Sequence, residues 1–288
     1  MIPGEFEYHA ASTLDEALGL LATHAEAKIL AGGQSLIPAM RFRLAQPPIL
    51  IDINTVPNLE YVREENGHLA IGALTRETML EESTLVQSKY HLLADGARTV
   101  ADPIVRNRAT VGGNLAHADP ANDHPAVMLA YGATVIARSA KGERQIPIDG
   151  FFVDIFTTAL RHDEMLTEIR IPTPGAGCGG AYLKLERKVG DYAISAVAVQ
   201  LALDGRTCKD IRIGLTNVSP VPMRAKGAEA ALRGQAITPE ALEAAGQAAA
   251  AECEPNADLR GSVEYKRDLT RVLVKRAVKR AAERANAA

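Results

Sequence analysis

Lys28-Ile29-Leu30-Ala31-Gly32-Gly33-Gln34-Ser35-Leu36 decides the fold class of this chain. A short segment of strand type runs into a glycine pair, and from Leu36 to Leu44 the apolar residues recur at helical spacing, so the stretch reads as strand, tight bend and helix. Upstream, Thr13-x-x-Glu16 is a capping box overlapping Leu14, Ala17, Leu18 and Leu21 on one helical face. Downstream, residues 48–53 return as a strand, which makes the N-terminal quarter a βαβαβ-like unit. Then the pattern changes. Residues 68–73, 134–138, 144–148 and 165–171 are short β-rich pieces that predict a meandering sheet, with helices over 85–99 and after Asn122-Asp123-His124-Pro125.

Pro172-Thr173-Pro174-Gly175-Ala176-Gly177-Cys178-Gly179-Gly180 is the densest proline and glycine cluster, and it predicts a domain boundary. Beyond it, residues 194–203 and 211–217 flank Asp204-Gly205, which predicts a hairpin closed by a type I′ turn. Thr238-Pro239-Glu240 supplies a cap, a proline and an acidic residue for a helix start. The expected fold class is α+β with mixed sheets.

Composition narrows the function. Of 288 residues, 47% are apolar and 23% charged, with 23 Gly and 15 Pro, which excludes a disordered or collagen-like chain. Lys and Arg number 32 against 35 Asp and Glu, a net charge of −3, so there is no basic excess for a nucleic-acid backbone. No apolar run reaches the ~18 residues of a membrane span, and Met1-Ile2-Pro3-Gly4-Glu5 lacks a secretion profile; a cytoplasmic protein is expected. Cys178, Cys208 and Cys253 are too far apart to form a cluster-binding motif, so the chain is expected to hold no iron–sulfur cluster and to bury its thiols reduced. Residues 256–288 carry nine Lys and Arg against four Asp and Glu, on a helix whose polar face is basic.

A second glycine pair, Thr110-Val111-Gly112-Gly113-Asn114, repeats the apolar-then-polar setting of the first. Adjacent glycines let several backbone N–H groups point into one concavity, so two such bends suggest a single bound anion. Each bend alone reads more readily as a tight turn, and neither fits the six-position dinucleotide fingerprint or a loop ending in Gly-Lys-Ser/Thr. The polar loop 117–125 holds His117, Asp119, Asp123 and His124. Its prolines disfavour a metal site, whereas Asp123 could accept hydrogen bonds from sugar hydroxyls. Lys184-Leu185-Glu186-Arg187-Lys188-Val189-Gly190-Asp191-Tyr192-Ala193 reads either as a solvated basic edge strand or as a cation and an aromatic ring beside a heterocycle. No nucleophile triad, carboxylate pair or metal-ligand set accompanies these motifs, so no catalytic or metal-binding residue is assigned.

Taken together, Ala31-Gly32-Gly33-Gln34-Ser35-Leu36-Ile37-Pro38, Arg106-Asn107-Arg108-Ala109-Thr110-Val111-Gly112-Gly113-Asn114, the Asp-Pro-x-Asn-Asp run at 119–123 and the 184–193 segment resemble the medium subunit of molybdenum hydroxylases, in particular of aerobic carbon monoxide dehydrogenases. The resemblance spans nearly the whole chain. It implies a p-cresol-methylhydroxylase-type FAD-binding fold over residues 1–176, in subdomains of about 1–56 and 57–176, followed by a flavoprotein C-terminal α+β domain at 177–288, a small antiparallel sheet with helices. It further implies that Ala31, Gly32, Gly33, Gln34 and Ser35, with Thr110, Val111, Gly112, Gly113 and Asn114, hold the FAD pyrophosphate. Asp123 would bind ribityl or ribose hydroxyls, Leu166 and Lys184 would lie near the cofactor, and Tyr192 near the flavin ring. Gln34 stands where the carbon monoxide dehydrogenase relatives often carry His.

The same resemblance implies partners: a large subunit that oxidises substrate at a molybdenum cofactor and a small subunit with two [2Fe-2S] clusters, assembled as a dimer of heterotrimers. This chain would be their FAD-binding electron-transfer subunit, passing electrons to an external acceptor, with Arg106 and Arg108 as candidates to face the small subunit. A free-standing FAD oxidase or dehydrogenase and a flavin-less scaffold are the alternatives. The substrate, whether carbon monoxide, a heterocycle or an aldehyde, would be set by the large subunit.

Overall fold

The computed structural model describes residues 2–287. The chain opens with β1 (Glu7–Ala10), α1 (Leu14–Thr23), β2 (Lys28–Leu30), α2 (Leu36–Arg41) and β3 (Ile49–Asp52). The strands are parallel, in the order β1-β3-β2, as a βαβαβ unit requires. α1 forms where expected: Thr13 Oγ1 accepts from the Glu16 N–H, while the Glu16 carboxylate accepts from the N–H of Ser12 rather than of Thr13. Its buried Ala17, Leu18 and Leu21 meet Ile51 and Ile53 in a small core of their own.

A second layer follows: β4 (Val62–Glu65), β5 (His68–Gly72), then the helices α3 (Glu77–Glu82), α4 (Thr84–Lys89), α5 (His91–Thr99), α6 (Pro103–Arg106), α7 (Val111–His117) and α8 (Asp123–Tyr131). It returns to β6 (Thr134–Ser139), β7 (Gly142–Pro147), the short hairpin β8 (Phe152–Asp154) and β9 (Thr157–Thr158), and β10 (Met165–Pro172). The five-stranded sheet is antiparallel in the order β4-β5-β10-β6-β7. It is no simple meander, because β10, last in sequence, occupies the centre. α8 starts at Asp123 itself, and all its residues are buried, which explains why it shows no polar face in the sequence.

The C-terminal part is a four-stranded antiparallel sheet, β11 (Cys178–Glu186), β12 (Ala193–Asp204), β13 (Thr207–Thr216) and β14 (Met223–Arg224), covered by α9 (Lys226–Leu232), α10 (Pro239–Glu252) and α11 (Val263–Ala287). The hairpin forms, with Asp204 paired to Thr207. Only Gly205 of the two turn residues has positive φ, +58°, so the turn is not type I′. Alternation along the strands sends Ala181, Val197 and Val199 into a core with α10 and α11, and Tyr182, Ala196 and Ala198 into the core that holds α5 and α8. No helix among the described residues is long and apolar enough to cross a membrane.

Candidate functional site

The first glycine bend is built on the end of β2. Leu30 O accepts from Ile53 N (3.1 Å) and Ala31 O from Asn54 Nδ2 (2.8 Å), which fixes where the chain must turn. Gly33 takes φ +75°, a conformation that disfavours any Cβ, and α2 begins at Leu36. Among the described residues, the backbone N–H groups of Gly32, Gly33, Gln34 and Ser35 find no protein acceptor, and the Ser35 side chain does not cap the helix. Gln34 turns its own amide back onto Gly32 O, at 3.3 Å. A run of unpaired amides across a positive-φ bend suits an anion.

The second glycine pair behaves differently. Thr110 is the N-cap of α7, its Oγ1 accepting from Gly113 N at 3.2 Å, so Val111, Gly112 and Gly113 form the first helical turn rather than a loop. Val111 N donates to Thr75 O (3.0 Å), Gly112 N to Ala73 O (3.1 Å) and Asn114 N to Thr110 O (2.9 Å). These amides already serve the fold. The expectation that both bends offer free N–H groups is therefore corrected: the first offers them, and the second supplies a helix start and a close-fitting surface.

The two do converge. A Cβ on Gly32 would stand 2.3 Å from the Arg108 carbonyl oxygen, and one on Gly113 would come within 4.0 Å of Ala31 Cβ. Two residues that sequence reading missed hold them together. Arg76 donates Nη1 to Arg108 O (2.5 Å) and Nη2 to Asn54 Oδ1 (2.8 Å), and Asn54 in turn holds Ala31. Asn114 Oδ1 is buried beside this junction with no partner.

Asp123 opens α8 and is buried. Its Oδ1 accepts from Tyr182 Oη (2.6 Å) and its Oδ2 from Lys184 Nζ (3.1 Å). The Lys184 side chain is 3% exposed and also donates to Thr99 O (3.0 Å), with Glu186 Oε2 at 3.3 Å. Tyr182 and Lys184 reach the same carboxylate because residues two apart on β11 share a face. Burial raises the Asp123 carboxyl above its ordinary range even against the Lys184 charge and the Tyr182 hydrogen bond. The reading of 184–193 as a solvated basic edge thus fails at Lys184, which is caged. Asn122 Nδ2 donates to Asn114 O (3.0 Å), tying this cage to the start of α7.

Tyr192 is exposed, with the Arg260 guanidinium 5.6 Å over its ring. Asp191 fixes both, accepting from Arg260 Nη2 (2.7 Å) and Tyr192 N (2.8 Å). Burial and the nearby Asp119 carboxylate raise the Tyr192 phenol. Leu166 is not brought to these polar groups by its side chain, which lies in the core with Val111 and Leu115. Arg106 is no surface contact either: it is buried, donating to Glu81 Oε2 (2.7 Å), Val100 O (3.0 Å) and Ala101 O (3.1 Å). Arg108 keeps an exposed side chain. His117 packs against Phe156 (5.1 Å), and burial lowers its imidazole.

Comparison with known proteins identifies the family. Residues 4–174 match the family model of the FAD binding domain in molybdopterin dehydrogenase, and residues 180–281 that of the CO dehydrogenase flavoprotein C-terminal domain. The carbon monoxide dehydrogenase medium chain of Hydrogenophaga pseudoflava is 47% identical over 279 residues, covering 96% of this chain and 97% of the relative. The 6-hydroxypseudooxynicotine dehydrogenase complex subunit alpha of Paenarthrobacter nicotinovorans is 37% identical over 99% of this chain and 97% of its own. A solved carbon monoxide dehydrogenase from Hydrogenophaga pseudoflava, lacking the Mo-pyranopterin moiety of the molybdenum cofactor, superposes with a TM-score of 0.96 at 49% identity over 99% of both chains. The chain therefore belongs to the FAD-binding medium subunits of the molybdenum hydroxylase family, a family of oxidoreductases.

Proposed function

We propose that this chain is the electron-transferring FAD subunit of a carbon monoxide dehydrogenase-like hydroxylase, taking electrons from [2Fe-2S] clusters on a small sister subunit and giving them to an external acceptor. The observation that carries the reading is the set of unpaired amides at residues 32–35 seated against the start of α7, a cradle that fits a diphosphate. Bound FAD supplies the redox chemistry, exchanging electrons one or two at a time. The chain's own residues bind and position. The amides of 32–35 hold the diphosphate, Asn114 offers its unpaired Oδ1, and Tyr192 offers a ring to the flavin. Asp123 serves by holding the Lys184 ammonium in place, and a fixed cation favours a heterocycle that gains negative charge on reduction. Leu166 would act through its backbone.

Sister subunits need a surface. Gly190 packs on the Ala101 carbonyl and Asp191 pairs with Arg260, so the turns carrying Ile104, Val189 and Leu259 gather beside Tyr192. These side chains are 80%, 94% and 96% exposed, an apolar rim suited to a large molybdenum subunit or a small iron–sulfur subunit, in a dimer of heterotrimers. The division at residue 176 belongs to the same reading.

The test is purification with the sister subunits. Stoichiometric flavin is expected, reduced by the hydroxylase substrate only when the iron–sulfur subunit is present. A complete complex without flavin, or an isolated chain whose flavin the substrate reduces directly, contradicts the proposal.

A further inference from the structure

Glu77 and His124 form a pair with no exposed side-chain surface, Glu77 Oε2 lying 2.6 Å from His124 Nε2. The proposed function leaves them unused. Their places are specific. Glu77 starts α3, and its N–H donates to Ala109 O (3.1 Å), while Ala73 and Thr75 just before it accept from Gly112 and Val111. The strap 73–77 thus clamps residues 109–112. His124 is the neighbour of Asp123, which holds Lys184 and Tyr182.

A buried ion pair is a poor way to stabilise a fold, since desolvating both groups offsets their attraction and well-packed apolar residues serve as well or better. This pair is also incompletely satisfied: Glu77 Oε1 and His124 Nδ1 are buried without partners. What it provides instead is direction, because a short hydrogen bond between two stiffly held groups fixes one helix start against another.

We infer that Glu77 and His124 are positioning residues of the flavin site, a buried side-chain tie that, beside the Asn122 amide on Asn114 O, keeps the 110–114 turn in register with Asp123 and the Lys184 ammonium. The inference rests on the proposed function. Neither residue is assigned a contact with the cofactor; both act through Asp123 and the clamped turn.

The experiment uses the full chain, stripped of flavin and titrated with FAD by fluorescence quenching, alongside its Tm. Three proteins are compared: wild type, Glu77→Gln, which keeps a hydrogen bond to His124, and the apolar double variant Glu77→Met/His124→Leu. The double variant is expected to bind FAD at least tenfold more weakly, with altered visible circular dichroism at saturating FAD. Glu77→Gln is expected to stay within threefold of wild type in Kd and to keep the wild-type spectrum. The inference is overturned by wild-type affinity in the double variant, by a Kd that simply follows Tm across the three proteins, or by an equal loss in Glu77→Gln. A wild-type chain that binds no FAD would defeat the proposed function instead, which separates the two failures.

Discussion

Gly32 rests directly on the backbone of Arg108: a Cβ there would lie 2.3 Å from the Arg108 carbonyl oxygen and 2.8 Å from Ala109 Cα. Neither atom belongs to a flexible side chain, so any larger residue must push the two bends apart. Gly32→Ala is expected to cost about 1–3 kcal/mol as overpacking and to lower the flavin content sharply. Gly33→Ala meets only side-chain atoms, Ile37 Cδ1 at 2.7 Å and Leu30 Cδ1 at 3.2 Å, which can give way, and its cost comes mainly from φ +75°, about 1–2 kcal/mol. Urea denaturation and the flavin-to-protein absorbance ratio read both, and the contrast in flavin content is the decisive outcome.

Lys184→Met should be severe. It strands the buried Asp123 carboxylate and leaves the part-exposed Glu186 without its cation, and breaking a buried ion pair from one side costs about 3–5 kcal/mol. Adding Asp123→Asn removes one stranded charge, so the double variant should recover a good part of the loss. A double-mutant cycle in chemical denaturation measures this coupling, and strictly additive losses would contradict the cage.

Acid should loosen the Tyr192 turn late. The Arg260 guanidinium holds the Asp191 carboxyl down to about 2, from an ordinary 3.8. With the folded value below the unfolded one, the pair's stabilisation is complete above pH 4 and is lost as pH falls towards 2. Asp191→Asn is expected to remove this part of the acid limb, leaving the stability of variant and wild type to converge at low pH.

Thiol chemistry should single out Cys178. Burial pushes both Cys208 and Cys253 up to about 11, whereas Cys178 lies part exposed at the start of β11. A disulfide reagent at neutral pH is expected to titrate one thiol quickly and the other two only on unfolding.

Much of the fold was legible where local chemistry acts alone. The Thr13 and Thr238 caps, the first glycine bend and the Asp204–Thr207 hairpin all follow from a few neighbouring residues. The second glycine pair was misread because Thr110 is a cap that lacks the acidic partner of a capping box, so its helix start carries a weak signal. Lys184 and Arg106 looked like surface charges, since nothing local reveals the Thr99, Val100 and Ala101 carbonyls that receive them. Asn54 and Arg76 lie far in sequence from the bends they join, and only the fold brings them there. One usable signal went unread: Tyr182 and Lys184 are two apart on a strand and must face the same way.

The central seat of β10 has a consequence for biogenesis. Until residues 165–172 leave the ribosome, the β4–β5 and β6–β7 hairpins face each other across a gap, each with an unpaired margin of N–H and C=O groups. Closure draws β10 between partners about a hundred residues upstream and some thirty upstream, a slow, non-local step. The nascent chain therefore spends its most adhesive interval just before this strand arrives, and an mRNA truncated there would yield a product prone to clump rather than one that is merely inactive.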